Sequence, residues 1–219
     1  MVAPSDDQGT ATIAGFQVPF ESGGGRIAGT ARVTPGTAFQ RILTQIQRAK
    51  PKATYCALQP ADAVAFVQQY VQAGLATGVP IYGSGAITEG GLLAQEGQAA
   101  LGIQTTLHYS DQLATPENTA FVAAYKGAYQ ASPSCFAMQG YDTGSVLDHA
   151  LSDQLDALDG DTMANQMGKG DRYKSPRGSW KFDEQGPLQN VYLRKVQDAG
   201  GTLVNAVLYD LGVAGQPAG

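Results

Sequence analysis

The first hundred residues alternate short apolar segments with longer amphipathic ones, and this alternation limits the folds that the chain can adopt. Residues 39–46 place apolar side chains at the i, i+3, i+4 and i+7 spacing of a helix. The apolar run 53–58 follows at once, then a helical pattern ending at Gly74, then a second short run, 79–85. Short apolar strands separated by helices are typical of right-handed βαβ units. The sequence therefore predicts an α/β fold with a parallel sheet.

This rhythm continues to residue 109 and then changes. A helix near 88–97 and a strand in 100–109 complete the alternating part. A helix over 116–130 is predicted from Thr115 as N-cap and Pro116 at the first helical position. Its buried side is predicted to carry Phe121, Val122, Tyr125 and Tyr129. A second helix over 135–151 follows without an intervening strand, which indicates that the chain has left the first sheet.

The last third of the chain predicts a hairpin and one further strand. A polar connection rich in Gly and Asp occupies 159–174. Trp180 and Phe182 then lie at alternate positions of one strand, residues 184–187 interrupt it, and 191–193 restart an extended segment. A final strand over 203–211 and a loose tail are expected after this hairpin.

Composition excludes several classes of function. The chain has 219 residues, 43% of them hydrophobic, and a net charge of -5 with scattered basic residues. A nucleic-acid partner is therefore not expected. No apolar run approaches the roughly 20 residues of a membrane span, and the first residues do not form an export signal. The cysteines, Cys56 and Cys135, are interpreted as free thiols.

Two short motifs suggest catalysis but lack the partners that the chemistry needs. Residues 141–146 contain the Asp-Thr-Gly-Ser string of aspartic proteases, but it occurs once, and that chemistry requires two carboxylates sharing a proton. The apolar spacing around it predicts instead that Asp142 and Ser145 are helical and structural. Ser84 lacks the glycine two residues before it that a nucleophile elbow requires.

The remaining candidates favour binding over catalysis. The glycines of 23–29 precede a strand, whereas a dinucleotide-binding fingerprint must follow one. His108 and His149 lie in different segments without metal-ligand spacing. We therefore predict no catalytic residues, no metal site and no cofactor. An alternative is a hydrolase that uses Ser84 or Asp142.

Six segments carry a resemblance to a known family. In chain order they are TAFQRILTQIQRAKP, ADAVAFVQQYVQAGL, PIYGSG, PENTAFVAAYKGAY, QGYDTGSVLDHAL and SPRGSWKFDEQGPLQNVYLRKV. Together they resemble the periplasmic solute-binding proteins of the branched-chain amino acid (Leu/Ile/Val-binding) type, which deliver ligands to ABC transporters. The resemblance covers residues 3–210.

The resemblance implies a type I periplasmic-binding fold, in which two α/β lobes with doubly wound parallel sheets enclose a small ligand. It assigns residues 1–110 to the second lobe, with an incomplete first strand, and 111–170 to helices that return to the first lobe. It assigns residues 171–210 to the crossover hairpin and the final strand, and residues 211–219 to a tail. The chain then resembles an N-terminally truncated member. The two returning helices are expected to expose apolar faces, and Tyr141 to pack against the first lobe or line the hinge.

The resemblance also implies a ligand site at the carboxyl ends of the second-lobe strands. The residues at these positions are Ser5, Asp6, Asp7, Leu58, Gln59, Ser84 and Gly85. Asp6 replaces an aromatic residue of the amino-acid-binding relatives, and Gly85 replaces their acidic partner for the ligand ammonium. Because an ammonium buried without a carboxylate is costly, an α-amino acid ligand is in doubt, and amides and aromatic or other organic acids stay open.

The implied role is capture of a small organic solute outside the cytoplasm, in the periplasm or its equivalent, for the membrane permease of an ABC importer. A ligand-sensing domain of the same fold in a receptor or regulator is the alternative within the binding class.

Overall fold

A computed structural model of the protein describes residues 1–152, 159–168, 173–183 and 186–215. The chain forms two compact units. Unit 1 contains Met1–Thr106 and Lys195–Asn205, and unit 2 contains Leu107–Arg194 and Ala206–Gly219. In the described part of the chain, no helix is both long and apolar enough to cross a membrane.

Strands and helices alternate up to residue 107, as the sequence predicts. In chain order these elements are β1 (Val2–Pro4), α1 (Asp7–Ser22), β2 (Ala31–Val33), α2 (Gln40–Ala49), β3 (Thr54–Cys56), α3 (Pro60–Gln72), β4 (Ile81–Ser84), α4 (Leu92–Glu96) and β5 (Gln104–Leu107). Two 3-10 turns, Gly85–Thr88 and Gly97–Ala100, flank α4.

The strands of unit 1 form a parallel sheet in the order β2-β1-β3-β4-β5. Pro4 pairs with Val33, and Cys56 pairs with Gly83. Strand β1 lies between β2 and β3, so the chain winds in both directions from it, which is the doubly wound arrangement. The predicted fold class is confirmed.

The core of unit 1 lies between this sheet and its helices. Helix α2 contributes Ile42 and Leu43, and α3 contributes Phe66, Val67 and Tyr70. The ring of Phe66 meets that of Tyr70 at 5.4 Å between centroids. The helical spacing in these two segments places their apolar residues on one side of each helix. This side packs against the sheet and is buried.

The helix predicted near 88–97 is instead a five-residue helix between two 3-10 turns. Gly90, Gly91 and Gly97 have φ angles of 64°, 89° and 57°, in the left-handed region. Because a helix cannot continue through such residues, the glycines divide the segment.

Unit 2 is built around helices and a hairpin. Its elements are α5 (Pro116–Tyr129), α6 (Cys135–Ser152), α7 (Gly160–Gly168), β6 (Lys181–Asp183), β7 (Gly186–Asp198) and β8 (Leu203–Ala214), the last two of which also contribute residues to unit 1. Strands β6 and β7 are antiparallel, β8 pairs with β7, and β7 also pairs with β5. The predicted hairpin and the two consecutive helices α5 and α6 are confirmed.

Three details of unit 2 differ from the sequence-based expectation. Helix α7 lies in the segment 159–174, where a connection without secondary structure was predicted. Asp159 stabilises the start of this helix by accepting the N–H of Thr162 at 2.9 Å. Residues 186–187, expected to interrupt the hairpin, belong to β7, and β8 continues to Ala214 through part of the predicted tail. Residues 184–185 of the hairpin and 216–219 of the tail lie outside the described residues.

Candidate functional site

The carboxyl ends of β1, β3 and β4 meet at one edge of the unit 1 sheet. The register pairs Val2 with Cys56 and Cys56 with Gly83, so the loops that follow these strands start at the same level. In parallel α/β sheets this edge is where ligands bind, and binding centres on the point where the chain reverses its winding direction. Here that point lies beside β1.

The first loop of this edge holds Ser5, Asp6 and Asp7. The Ser5 N–H donates to the carbonyl of Val33 at 2.8 Å, and Asp6 Oδ1 accepts the N–H of Gly9 at 2.8 Å as N-cap of α1. A Cβ at Gly9 would collide with the carbonyl of Pro4, so only glycine allows α1 to start this close to β1. The Asp6 and Asp7 carboxylates therefore lie at the positive end of the helix dipole.

The second loop presents Gln59 and buries Leu58. Leu58 is 2% exposed and its side chain belongs to the unit 1 core. Gln59 is exposed at the start of α3 and donates from Nε2 to Gln8 Oε1 at 2.7 Å. This hydrogen bond joins the first and second loops directly.

The third loop begins with half-buried Ser84 and buried Gly85 at the first 3-10 turn. The carbonyl of Gly85 accepts from the hydroxyl of Thr88 at 3.4 Å, and the Asn205 side chain donates to the carbonyl of Thr88 at 3.0 Å. The fold thus brings Ser5, Asp6, Gln59 and Ser84 to one edge of the sheet, and hydrogen bonds hold each of the three loops.

Two residues of this edge were not predicted from the sequence. Gln8 contacts Gln59, and Arg32 donates to the carbonyl of Asp6 at 3.0 Å and to the hydroxyl of Thr10 at 2.7 Å. The position of Gln8, directly after Asp7 in the loop following β1, is a signal that could have identified it. The sequence contains no such signal for Arg32, because Arg32 and its partner Asp6 are 26 residues apart in the chain.

Asp142 lies in unit 2, and its predicted helical position is confirmed. It lies on α6, 4% exposed, and its Oδ2 is 2.8 Å from Nε of Arg177. The Arg177 guanidinium in turn lies 4.2 Å above the ring of Trp180. Burial raises the pKa of Asp142, opposed by the hydrogen bond from Ser175 and the charge of Arg177. This setting differs from that of the aspartic-protease carboxylates, two of which share one proton.

The histidines are also located in unit 2. Burial lowers the pKa of His108 to about 4, assisted by the positive charges of Arg177 and Arg194, so its ring is neutral at neutral pH. The Gln139 carboxamide hydrogen-bonds to its Nε2 at 3.3 Å. His149 is exposed and meets the Tyr173 ring edge-on. Within the described ranges, no three metal-ligating side chains converge.

A groove of about 870 Å³ runs between α5 and α6 of unit 2. Its aromatic lining is Phe121, Tyr125, Tyr129 and Tyr141, with alanines and Gly140 between them. Tyr129 is 67% and Tyr141 49% exposed. The expectation that both helices expose apolar faces is confirmed, whereas the expectation that Tyr129 is buried is wrong, because no described side chain covers this groove.

The amino-acid sequence matches a known protein family and curated relatives. The model of a family described as "Periplasmic binding protein" matches residues 1–211. The Leu/Ile/Val-binding protein homolog 6 of Brucella suis biovar 1 is 29% identical over 214 residues, which are 92% of this chain and 54% of that protein.

Solved structures give the same fold. A solute-binding protein of an ABC transporter from Rhodopseudomonas palustris BisB5, in complex with 3,4-dihydroxybenzoic acid, has a TM-score of 0.90 and 30% identity, covering 99% of this chain and 60% of that chain. Another from R. palustris, in complex with benzoate, has a TM-score of 0.82 and 32% identity, covering 97% of this chain and 57% of that chain. The chain thus spans about half the length of the curated relatives it matches.

Proposed function

Because the chain belongs to the periplasmic binding protein family, we propose that it forms part of the extracytoplasmic solute-binding component of an ABC importer. In this role it captures a small organic solute and delivers it to the membrane permease. The observation that carries the proposal is the edge of the unit 1 sheet, where the loops with Ser5, Gln59 and Ser84 meet at the site expected for ligands of parallel sheets.

The chemistry of this edge favours a carboxylate-bearing aromatic solute over an α-amino acid. The hydroxyls of Ser5 and Ser84 and the carboxamide of Gln59 can donate hydrogen bonds to a carboxylate. Asp6 is occupied in capping α1, and Gly85 offers no carboxylate to an ammonium group. An ammonium group beside the third loop would therefore receive no counter-charge from Gly85, which is unfavourable for a buried ammonium. Solved relatives at 30% and 32% identity contain 3,4-dihydroxybenzoic acid and benzoate.

The proposal assigns no catalytic residue. Ser84 belongs to unit 1, whereas His108 and His149 belong to unit 2, and the Asp142 carboxylate is paired with Arg177. Neither hydrolase hypothesis is favoured by a specific observation.

The domain assignment is also part of the proposal. Residues 1–110 form the second lobe, and 111–170 supply helices to the other lobe of the complete protein. The exposed aromatic groove between α5 and α6 supports this assignment, since a helix normally buries its apolar face against another layer.

The test is a binding screen of the full-length protein by calorimetry and thermal shift. We expect benzoate, 4-hydroxybenzoate or 3,4-dihydroxybenzoate to bind, and saturation at about 100 times Kd to stabilise the protein by about 2.7 kcal/mol. Leucine is expected to give no shift. Stabilisation by leucine alone would refute the aromatic class, and a lack of binding across amino acids, amides and organic acids would refute the solute-binding role.

A pair of variants locates the binding. Gln59→Ala removes a side chain at the edge and is expected to weaken binding about tenfold, the effect of losing one hydrogen bond to a charged group. The matched control is Gln17→Ala, since Gln17 is a half-buried residue of α1 that bonds within that helix to Glu21. Equal affinity in the two variants would contradict the proposed location.

A further inference from the structure

Glu96 is a buried acid of unit 1. It is the last residue of α4 and 3% exposed. In the described part of the chain, neither of its carboxyl oxygens has a hydrogen-bond partner. Burying an ionised carboxylate in this way would be very costly, so a group so placed is held as the neutral acid.

The described elements in closest contact with α4 carry no basic side chain. Helix α4 packs against α3 and both 3-10 turns, and these turns carry no titratable side chain. Helix α3 carries Asp62 and Tyr70, and Tyr70 donates its hydroxyl proton to the carbonyl of Val79 at 3.0 Å. From the sheet, the Cys56 thiol interacts with Glu96, and burial raises the pKa of that thiol to about 12. Glu89, between the first turn and α4, is another buried acid.

The position of Glu96 connects it to the third loop of the ligand edge. Helix α4 contacts the 3-10 turn Gly85–Thr88, which follows Ser84 directly. Helix α4, which ends at Glu96, is thus part of the packing around that turn. A change that moves α4 outward would remove support from the turn.

We propose that Glu96 makes the segment 85–100 pH-sensitive, because the neutral carboxyl packs in the unit 1 core and loss of its proton drives the segment towards solvent. The consequence for ligand binding, a weaker affinity in alkaline solution, rests on the proposed function. The opening of the segment itself does not depend on any ligand.

The direction of the pH effect follows from the two states. Burial raises the pKa of Glu96 from 4.5 to about 8 in the closed state, while in the open state it returns to its ordinary value. At pH values between these two pKa values, the closed state binds more protons than the open state. Closure is therefore most stable in acid and weakens as the pH rises through this window.

Hydrogen exchange of the ligand-free protein, followed by mass spectrometry, tests the inference. After correction for intrinsic exchange rates, amides of 85–100 are expected to lose protection about tenfold or more between about pH 6 and about pH 9. Glu96→Gln, which keeps the shape but cannot ionise, should remove most of this loss. The matched control Glu21→Gln, an exposed acid on α1, should behave as the parent protein.

Two results would overturn the inference. One is equal pH dependence of protection in the parent protein and Glu96→Gln. The other is a carboxyl ¹³C titration that places the pKa of Glu96 near its ordinary value, and this measurement needs no variant. Because neither experiment uses a solute, their failure is distinct from a failure of the proposed function.

Discussion

At the scale of single residues, Asp142 illustrates how context decides the role of a motif. Its Asp-Thr-Gly-Ser string is that of a protease, yet the carboxylate is buried on α6 and paired with Arg177 at 2.8 Å. Burial raises the pKa of Asp142 and lowers that of Arg177, so desolvation outweighs the mutual attraction in both groups. Such a pair adds little stability as a whole, but either charge is costly once its partner is removed.

We therefore predict that Asp142→Asn lowers the free energy of unfolding by about 3 to 5 kcal/mol, because it leaves Arg177 buried with its charge unbalanced. Urea denaturation measures this change. The control is Asp148→Asn on the same helix, where the side chain is exposed and the cost should stay below about 0.5 kcal/mol. Similar stability of both variants would show that the pair does not have this role.

At the scale of elements, the N-terminus of α5 is determined by residues that can be recognised in the sequence. Thr115 Oγ1 accepts the N–H of Asn118 at 3.1 Å, and Pro116 occupies the first turn. The Asn118 side chain then donates to the carbonyls of Asp111 at 3.1 Å and Leu113 at 2.9 Å. The cap therefore also fixes the loop that precedes the helix.

Replacing Thr115 by Ala is predicted to lower the free energy of unfolding by about 1 kcal/mol, the usual effect of losing an N-cap. Thermal denaturation measures this change, and the control variant is Thr119→Ala. Thr119 is exposed and its hydroxyl donates to the carbonyl of Thr115 within the same helix turn, so alanine there should be neutral within about 0.5 kcal/mol. An unchanged melting temperature for Thr115→Ala would argue against the capping role.

Elements with a strong periodic pattern could be predicted, and those decided by single residues could not. The strands around Cys56 and Ile81 and the helices α2 and α3 follow from apolar spacing. Helix α7 was not predicted, because its segment contains few apolar residues and begins at the cap formed by Asp159. The division near α4 depends on backbone angles of glycines, which composition alone does not reveal.

For the candidate site, the topology was predictable and the side-chain partners were not. Parallel strands place Ser5, Gln59 and Ser84 at one edge whatever their detailed contacts. The hydrogen bond between Gln8 and Gln59 joins residues 51 positions apart, so no local pattern indicates it. Likewise, the burial of Leu58 depends on how the loop turns after β3.

At the scale of the whole molecule, the two units present different surfaces. Unit 1 contains a parallel sheet, its core and the polar edge at which we place the ligand. Unit 2 contains the paired Asp142 and an aromatic groove with exposed tyrosines. An aromatic solute could be attracted to either surface, so the location of binding tests our account more directly than affinity does.

The decisive measurement is a titration of the isotope-labelled full-length protein with benzoate, followed by amide chemical shifts. We predict saturable changes concentrated in the loops 5–8, 58–60 and 84–86. Saturable changes confined to the tyrosines of the α5–α6 groove, with the three loops unaffected, would contradict the account.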